Sequence, residues 1–167
     1  MFSRRLLLAP LLAGLLLVTA SCTNPFAPSS TTPDNAAVAP EVKSSVEQYA
    51  AKVNARDAAG ASEFYADDPG FHWVEDGRTI YQNRVEAVAG LTNFFAGFSE
   101  SRFEVYDIKI VMLGEESAIV TAKFTQAIAA NAQASLKIEG VMTLGMSKRD
   151  SAWKIVAGHK SANAFPH

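Results

Sequence analysis

Cysteine is almost absent from this chain, since Cys22 is the only one among 167 residues. The part that follows it can form no internal disulfide, so its stability must come from burial of apolar side chains. Histidine is scarce too, and the three copies, His72, His159 and His167, form no closely spaced ligand motif. Because a metal site needs several ligands that converge on one ion, we expect neither a metal nor a cofactor.

Basic runs are also lacking. The chain has 15 Lys and Arg against 17 Asp and Glu, and they are scattered along it. Without Arg4 and Arg5 the balance becomes 13 against 17, a formal charge of -4. Nucleic-acid binding calls for a basic patch or stripe, so we expect no nucleic-acid partner.

The first residues carry the pattern of an export signal. Arg4 and Arg5 precede an apolar run from Leu6 to Val18, and small residues follow it. The run is shorter than the roughly 20 residues that a permanent membrane helix needs. We therefore expect residues 1–21 to be a signal peptide that is removed.

Residues 18–22, VTASC, resemble the lipobox of bacterial lipoproteins, with Thr19 where that pattern usually has an aliphatic residue. The resemblance implies that Cys22 is lipidated and anchors the protein in the bacterial cell envelope, facing the periplasm. Thr23 stands where an aspartate would hold such a protein in the inner membrane, which favours the outer membrane. The alternative is an ordinary signal peptide cut nearby, which leaves Cys22 as a free thiol.

Residues 22–39 are rich in Pro, Ser, Thr, Asn and Ala and nearly free of charge. Such a composition buries too little apolar surface to offset its ordering entropy, so it predicts a disordered tether. Residues 40–167 have the length of one ordinary domain.

The first half of that domain shows helical patterns. Apolar residues recur at helical spacing over 40–53 and again over 83–98, and Asp57 can cap a short helix between them. Asp76-Gly77 is a tight-turn dipeptide, which predicts a hairpin from two short strands over 71–81.

The residue pattern of the second half predicts four long strands separated by turns, at 102–113, 118–130, 134–148 and 153–163. A meander of this kind after three helices predicts an α+β domain, in which the helices pack on one face of a curved antiparallel sheet. Such an arrangement leaves a cavity between the helices and the sheet.

The closing segment 153–161, WKIVAGHKS, resembles the last strand of SnoaL-like domains in the nuclear transport factor 2-like superfamily, except that Ala157 replaces a usual histidine. The stretch 71–77, FHWVEDG, and the helix after it are similar to that family as well. The resemblance covers residues 41–163 and implies an α+β cone with a pocket at its open end. The family includes isomerases, dehydratases, cyclases, epoxide hydrolases and domains that only bind or assemble, and fold does not fix function.

The candidate ligand-binding residues of that pocket are mostly aromatic, as is usual for small-molecule sites: Tyr49, Tyr65, Trp73, Phe98 and His159. Strand alternation places His159 on the same face as Trp153, and the resemblance implies that this face looks into the pocket. Each of these residues could equally be part of the core. No catalytic set can be assigned.

Our main hypothesis is a lipid-anchored domain that binds a small apolar or amphipathic ligand, or a protein partner, without catalysis. The alternative is an isomerase, dehydratase or hydrolase that uses proton transfer, with His159 or Glu139 as base and Tyr49 or Tyr65 as donor. Asp107 is a further candidate carboxylate, although strand carboxylates are more often solvated.

A third hypothesis is a homodimer that forms through the outer face of the sheet. It requires an exposed apolar patch that is too large for a monomer, for which the last strands offer Leu136, Ile138, Met142, Leu144 and Met146.

Overall fold

The computed structural model describes residues 35–131 and 134–163. The predicted signal peptide, Cys22, most of the predicted tether and His167 lie outside these residues. Within them, no helix has both the length and the apolar character that are needed to cross a membrane.

The described residues form three helices: α1 (Asn35–Asn54), α2 (Ala58–Ser62) and α3 (Arg84–Gly97). Helix α1 begins before the predicted boundary at residue 40 and accommodates Pro40 in its second turn. The Asp57 side chain accepts a hydrogen bond from Gly60 N (2.7 Å) and so caps α2. Asn83 accepts one from Glu86 N (2.9 Å) at the start of α3, as the capping pattern predicts.

In the part of the chain that the structure describes, six strands form one sheet: β1 (His72–Glu75), β2 (Arg78–Tyr81), β3 (Glu100–Met112), β4 (Ser117–Asn131), β5 (Ala134–Arg149) and β6 (Ala152–Asn163). Their order in the sheet is β2-β1-β6-β5-β4-β3. The α+β cone is thus confirmed, but the sheet is mixed and not purely antiparallel, because β1 pairs with β6 in parallel. Local turn signals predict hairpins, whereas this pairing joins strands that are distant in the chain.

The core lies between α1 and the face of the sheet that α1 covers, which we call the inner face. One stripe of α1 is buried there, at Val42, Val46, Tyr49 and Val53. Met142, Leu144 and Met146 are buried in the same core. Those three residues therefore cannot form the exposed apolar patch that the homodimer hypothesis assigned to them.

The two remaining residues of that patch differ from each other. Ile138 is half-buried against the core, and only Leu136 is exposed. Other apolar side chains, including Val111, Ile119 and Val141, are exposed instead. The prediction that these five residues form an exposed dimer surface is therefore mostly wrong.

A β-bulge interrupts strand β6. Ala157 pairs with Gly145 on β5, but Ile155 pairs with Met146, so Val156 is an extra residue with no partner. A bulge of this kind shifts the alternation of side chains by one residue. Ile155 is buried in the core, whereas His159 is exposed on the outer face. The prediction that His159 faces the pocket is wrong for this reason.

Candidate functional site

A cavity of about 220 Å³ lies at the inner face of the sheet. Apolar side chains from α1, α3 and the long strands form part of its wall, namely Val53, Leu91, Phe94, Phe103, Ile138 and Ala162. The rest of the wall is aromatic or polar and comprises Tyr49, Tyr65, Trp73, Glu75, Asp76, Tyr81, Gln126 and Lys160. The polar groups fall into two clusters and an adjoining hairpin turn.

The first cluster is a pair of buried tyrosines. Tyr49 comes from α1, and Tyr65 is held beside β6 by hydrogen bonds that Ile155 makes with the neighbouring residues Phe64 and Ala66. The two hydroxyl oxygens are 2.8 Å apart. Because one hydroxyl donates to the other, the accepting hydroxyl keeps its own proton, which a ligand can accept.

Burial keeps this pair protonated. It raises the pKa of Tyr49 to about 12 and is also the main reason why the pKa of Tyr65 lies well above the ordinary tyrosine range. Both groups, which are neutral hydrogen-bond donors at physiological pH, therefore stay protonated further into the alkaline range.

The second cluster is an ion pair on β1 and β6. Lys160 Nζ lies 3.2 Å from Glu75 Oε1 and 3.4 Å from Gln126 Oε1. The indole Nε1 of Trp73 donates to the same Glu75 oxygen (2.9 Å). The ammonium also lies 5.4 Å from the centre of the Phe124 ring, so several contacts hold it in place.

Asp76 and Tyr81 belong to the hairpin that carries Glu75. Asp76 adopts a left-handed backbone conformation (φ 46°) at the turn, and its Oδ1 accepts a hydrogen bond from Ala162 N (2.9 Å). Tyr81 is half-buried, and burial, followed by the charge of Glu75, raises its pKa. The turn thus brings acidic and hydroxyl groups together on one side of the cavity.

The predicted ligand-binding residues divide into two groups. Tyr49, Tyr65 and Trp73 do lie on the cavity wall, although their binding role stays a prediction. Phe98 does not line the cavity; its ring packs on that of Phe94, with centroids 5.0 Å apart. His159 lies with His72 at a shallow hollow on the outer face.

The carboxylates considered as bases are also outside the cavity. Glu139 is exposed and lies 2.7 Å from Lys137 Nζ. Asp107 is exposed beside Lys123, at 3.3 Å. Neither residue, nor His159, can therefore act on a molecule held in the cavity.

Sequence reasoning missed Glu75, Asp76 and Lys160. The VEDG stretch predicts a hairpin turn and carries part of the family resemblance, but neither interpretation assigns its two adjacent acids to the pocket. Lys160 follows His159, so simple alternation assigned it to the wrong face, and the bulge at Val156 brings it inside. Within the part of the chain that the structure describes, no three His, Cys, Asp or Glu side chains group closely enough to hold a metal ion.

Comparisons with known proteins agree with this architecture. A family model described as the SnoaL-like domain matches residues 42–165. No curated protein matches the chain.

Many solved structures have a similar fold. A candidate scytalone dehydratase from Novosphingobium aromaticivorans has a TM-score of 0.70 and 11% identity, over 77% of this chain and 86% of that one. A type 2 hexachlorocyclohexane dehydrochlorinase has a TM-score of 0.69 and 16% identity, over 80% and 90%. A nuclear transport factor 2-like superfamily protein from Salmonella enterica serovar Typhimurium has a TM-score of 0.69 and 13% identity, over 80% and 96%. At such identities the similarity establishes the fold alone.

Proposed function

Because this chain belongs to the SnoaL-like domain family, we propose that its cavity binds a small amphipathic molecule of about one ring and does not transform it. The fold is a cone that commonly binds small-molecule ligands. The size and lining of the cavity support the finer proposal. An apolar cavity of about 150 Å³ holds benzene, whereas sites for drug-sized ligands begin at roughly 300 Å³.

The observation that carries the proposal is the pair formed by Tyr49 and Tyr65. Two hydroxyls 2.8 Å apart in a mostly apolar wall leave one proton to donate. A ligand with an apolar ring and one polar group can accept that proton or donate to a hydroxyl oxygen of the pair, and buried polar groups are costly to leave unpaired.

Binding without chemistry fits the remaining polar groups. Oε1 of Glu75 already accepts from Trp73 and lies beside Lys160. Among the residues that the structure describes, no histidine lies on the cavity wall. The Glu75 carboxylate and the Lys160 ammonium are thus already paired with each other, which suits recognition better than proton exchange.

We further propose that the protein is anchored in the bacterial cell envelope through a lipid on Cys22 and faces the periplasm from the outer membrane. The lipobox-like stretch at 18–22 and the apolar run before it support this location. The cavity would then sample small molecules that enter the envelope.

Proton transfer by an isomerase, dehydratase or hydrolase is the second candidate. It is favoured by the presence of the Glu75 carboxylate on the same wall as the tyrosine hydroxyls. Two of the similar structures are a candidate dehydratase and a dehydrochlorinase. In this version Glu75 would act as base and a tyrosine as donor.

Native mass spectrometry of the protein purified from its own cell envelope tests the proposal. We expect a retained small molecule in the wild type and in Ala127→Trp, which adds bulk at an exposed position. Ala162→Trp fills the cavity and should lose that molecule while the circular dichroism spectrum stays the same. Equal occupancy in both variants would place the ligand elsewhere. A change in the mass or in the chromatographic retention time of the released molecule on incubation with fresh protein would favour the enzyme.

A further inference from the structure

We propose that the ligand of this cavity is a protonated amine, whose ring contacts the aromatic wall while its ammonium group binds to Glu75 and Asp76. This inference rests on the proposed function, because it names the chemical class of the molecule that the cavity binds. It is carried by three features of the wall: its charge balance, its open acceptor atoms and its aromatic rings.

The charge balance is negative. Among the described residues, the wall contains two carboxylates, Glu75 and Asp76, and one ammonium, Lys160. Lys160 is paired with Glu75. No lysine or arginine of the described ranges forms an ion pair with Asp76. A cation in the cavity therefore meets a net attraction, and an anion meets a net repulsion.

Two carboxylate oxygens are open acceptors. The contacts of Glu75 with Trp73 and Lys160 both involve Oε1, and the backbone N–H of Ala162 donates to Oδ1 of Asp76. No donor among the described residues forms a hydrogen bond with Glu75 Oε2 or Asp76 Oδ2. An ammonium group supplies up to three N–H donors and so complements these two oxygens.

Aromatic rings make up much of the remaining wall: Tyr49, Tyr65, Trp73, Tyr81, Phe94 and Phe103. Ring faces attract cations, and a cage of rings is a common way to bind an ammonium ligand. The protein already uses this chemistry beside the cavity, because the Lys160 ammonium lies over the Phe124 ring.

The pKa values of the wall tyrosines respond to the same negative charge. Burial is the largest cause of the raised pKa of Tyr49, Tyr65 and Tyr81, and the charge of Glu75 raises it further at all three. A neutral hydroxyl is thereby kept next to the carboxylates, and it can accept from the ammonium as well as donate.

A matched probe series tests this inference on the purified full-length protein. Benzylamine, benzyl alcohol and benzoate share one ring and are a cation, a neutral molecule and an anion at pH 7. Isothermal titration should give benzylamine the lowest Kd, at least about tenfold below benzyl alcohol. Benzoate should bind most weakly.

Asp76→Asn should reduce the preference for benzylamine over benzyl alcohol several-fold. Asp107→Asn is its matched control, because both aspartates have a left-handed backbone (φ 46° and 51°), which asparagine tolerates, and each change removes one negative charge. Asp107 lies on the outer face, so its variant should keep the wild-type preference. Glu75→Gln should also lose the preference, and a thermal melt checks that it is folded.

The outcomes separate the two proposals. If benzyl alcohol binds as tightly as benzylamine, or if Asp76→Asn and Asp107→Asn behave alike, the amine inference is overturned while a small-molecule cavity stands. If none of the three probes binds, both proposals fail.

Discussion

The side chain of Asn54 forms two hydrogen bonds with the backbone of Phe103. Its Nδ2 donates to the Phe103 carbonyl (2.7 Å), and the Phe103 N–H donates to its Oδ1 (2.7 Å). Strand β3 lies at the edge of the sheet, where backbone groups lack a neighbouring strand. The last residue of α1 therefore pairs with that edge and fixes the helix beside Phe103, which lines the cavity.

Replacing Asn54 with alanine should lower the free energy of unfolding by about 1 to 3 kcal/mol, because two backbone groups lose their partners. Urea denaturation measures the change. Asn93→Ala, at an exposed position of α3, is the control and should stay within about 0.5 kcal/mol of wild type. Equal losses in the two variants would contradict a specific role for the pair.

The buried tyrosines should make the fold sensitive to alkali. Tyrosine in an unfolded chain ionises at about pH 10, whereas the pKa of Tyr49 is about 12 in the fold and that of Tyr65 is also raised. Between these values the unfolded chain loses protons that the folded chain keeps. The stabilisation is thus complete below about pH 10 and is lost as the pH rises towards 12.

Each such tyrosine contributes a slope of about -1.4 kcal/mol per pH unit in that window. Denaturation at stepped pH values should show a shallower slope for Tyr49→Phe and for Tyr65→Phe than for wild type. Tyr106→Phe, on the exposed outer face, is the matched control and should keep the wild-type slope. A wild-type slope in all three variants would refute the burial argument.

Gly158 provides the space for the Trp73 ring. A Cβ atom at position 158 would lie 2.1 Å from Trp73 Cε3, whereas a Cβ at Gly145 would meet nothing closer than 3.6 Å. Gly158→Ala should therefore displace the indole, shift its fluorescence and cost about 1 to 3 kcal/mol. Gly145→Ala should be close to neutral.

A second substitution strengthens this test. Trp73→Leu removes the ring that the new methyl group would contact, so Gly158→Ala should cost less in that background than in wild type. Additive losses would mean that the two residues do not compete for the same space.

The ion pair at the cavity should be worth more than an exposed pair. Lys160→Met leaves Glu75 without its counter-ion in a half-buried position and should cost about 1 to 3 kcal/mol. Lys123→Met breaks the exposed pair with Asp107 and should cost less than about 1 kcal/mol. A double-mutant cycle that combines Lys160→Met with Glu75→Gln should show that the two side chains stabilise each other. A coupling energy of zero would contradict the pairing.

The proposed anchor predicts a chemical modification. Cells that express the protein and are fed a radiolabelled fatty acid should incorporate the label into wild type but not into Cys22→Ser. Ser21→Ala, next to the cysteine, keeps the small residue that the cleavage site needs and should still be labelled. Labelling of Cys22→Ser would overturn the lipidation proposal.

Local features were predictable from the sequence because they depend on neighbouring residues. The α1 stripe and the Asn83 cap follow from spacing and residue type, and both are present. The four long strands lie within two residues of their predicted bounds. Tyr49 and Tyr65 on the wall followed from the same patterns together with the family resemblance.

The missed features depend on a one-residue irregularity and on a long-range strand pairing, which local patterns do not encode. One extra residue, Val156, reverses the face of every later residue in β6, so His159 and Lys160 exchange sides. The parallel pairing of β1 with β6 depends on the whole chain. Glu75 reaches the cavity only because that pairing places it beside Lys160.

The same parallel pairing sets a time order for folding. His72 and Ala157 are partners although 85 residues separate them, and contacts between residues so distant in the chain are slow to form. The whole segment between them must leave the ribosome before strands β1 and β6 can pair. A nascent chain therefore lacks the part of the cavity wall that Glu75 and Lys160 form until β6 has emerged.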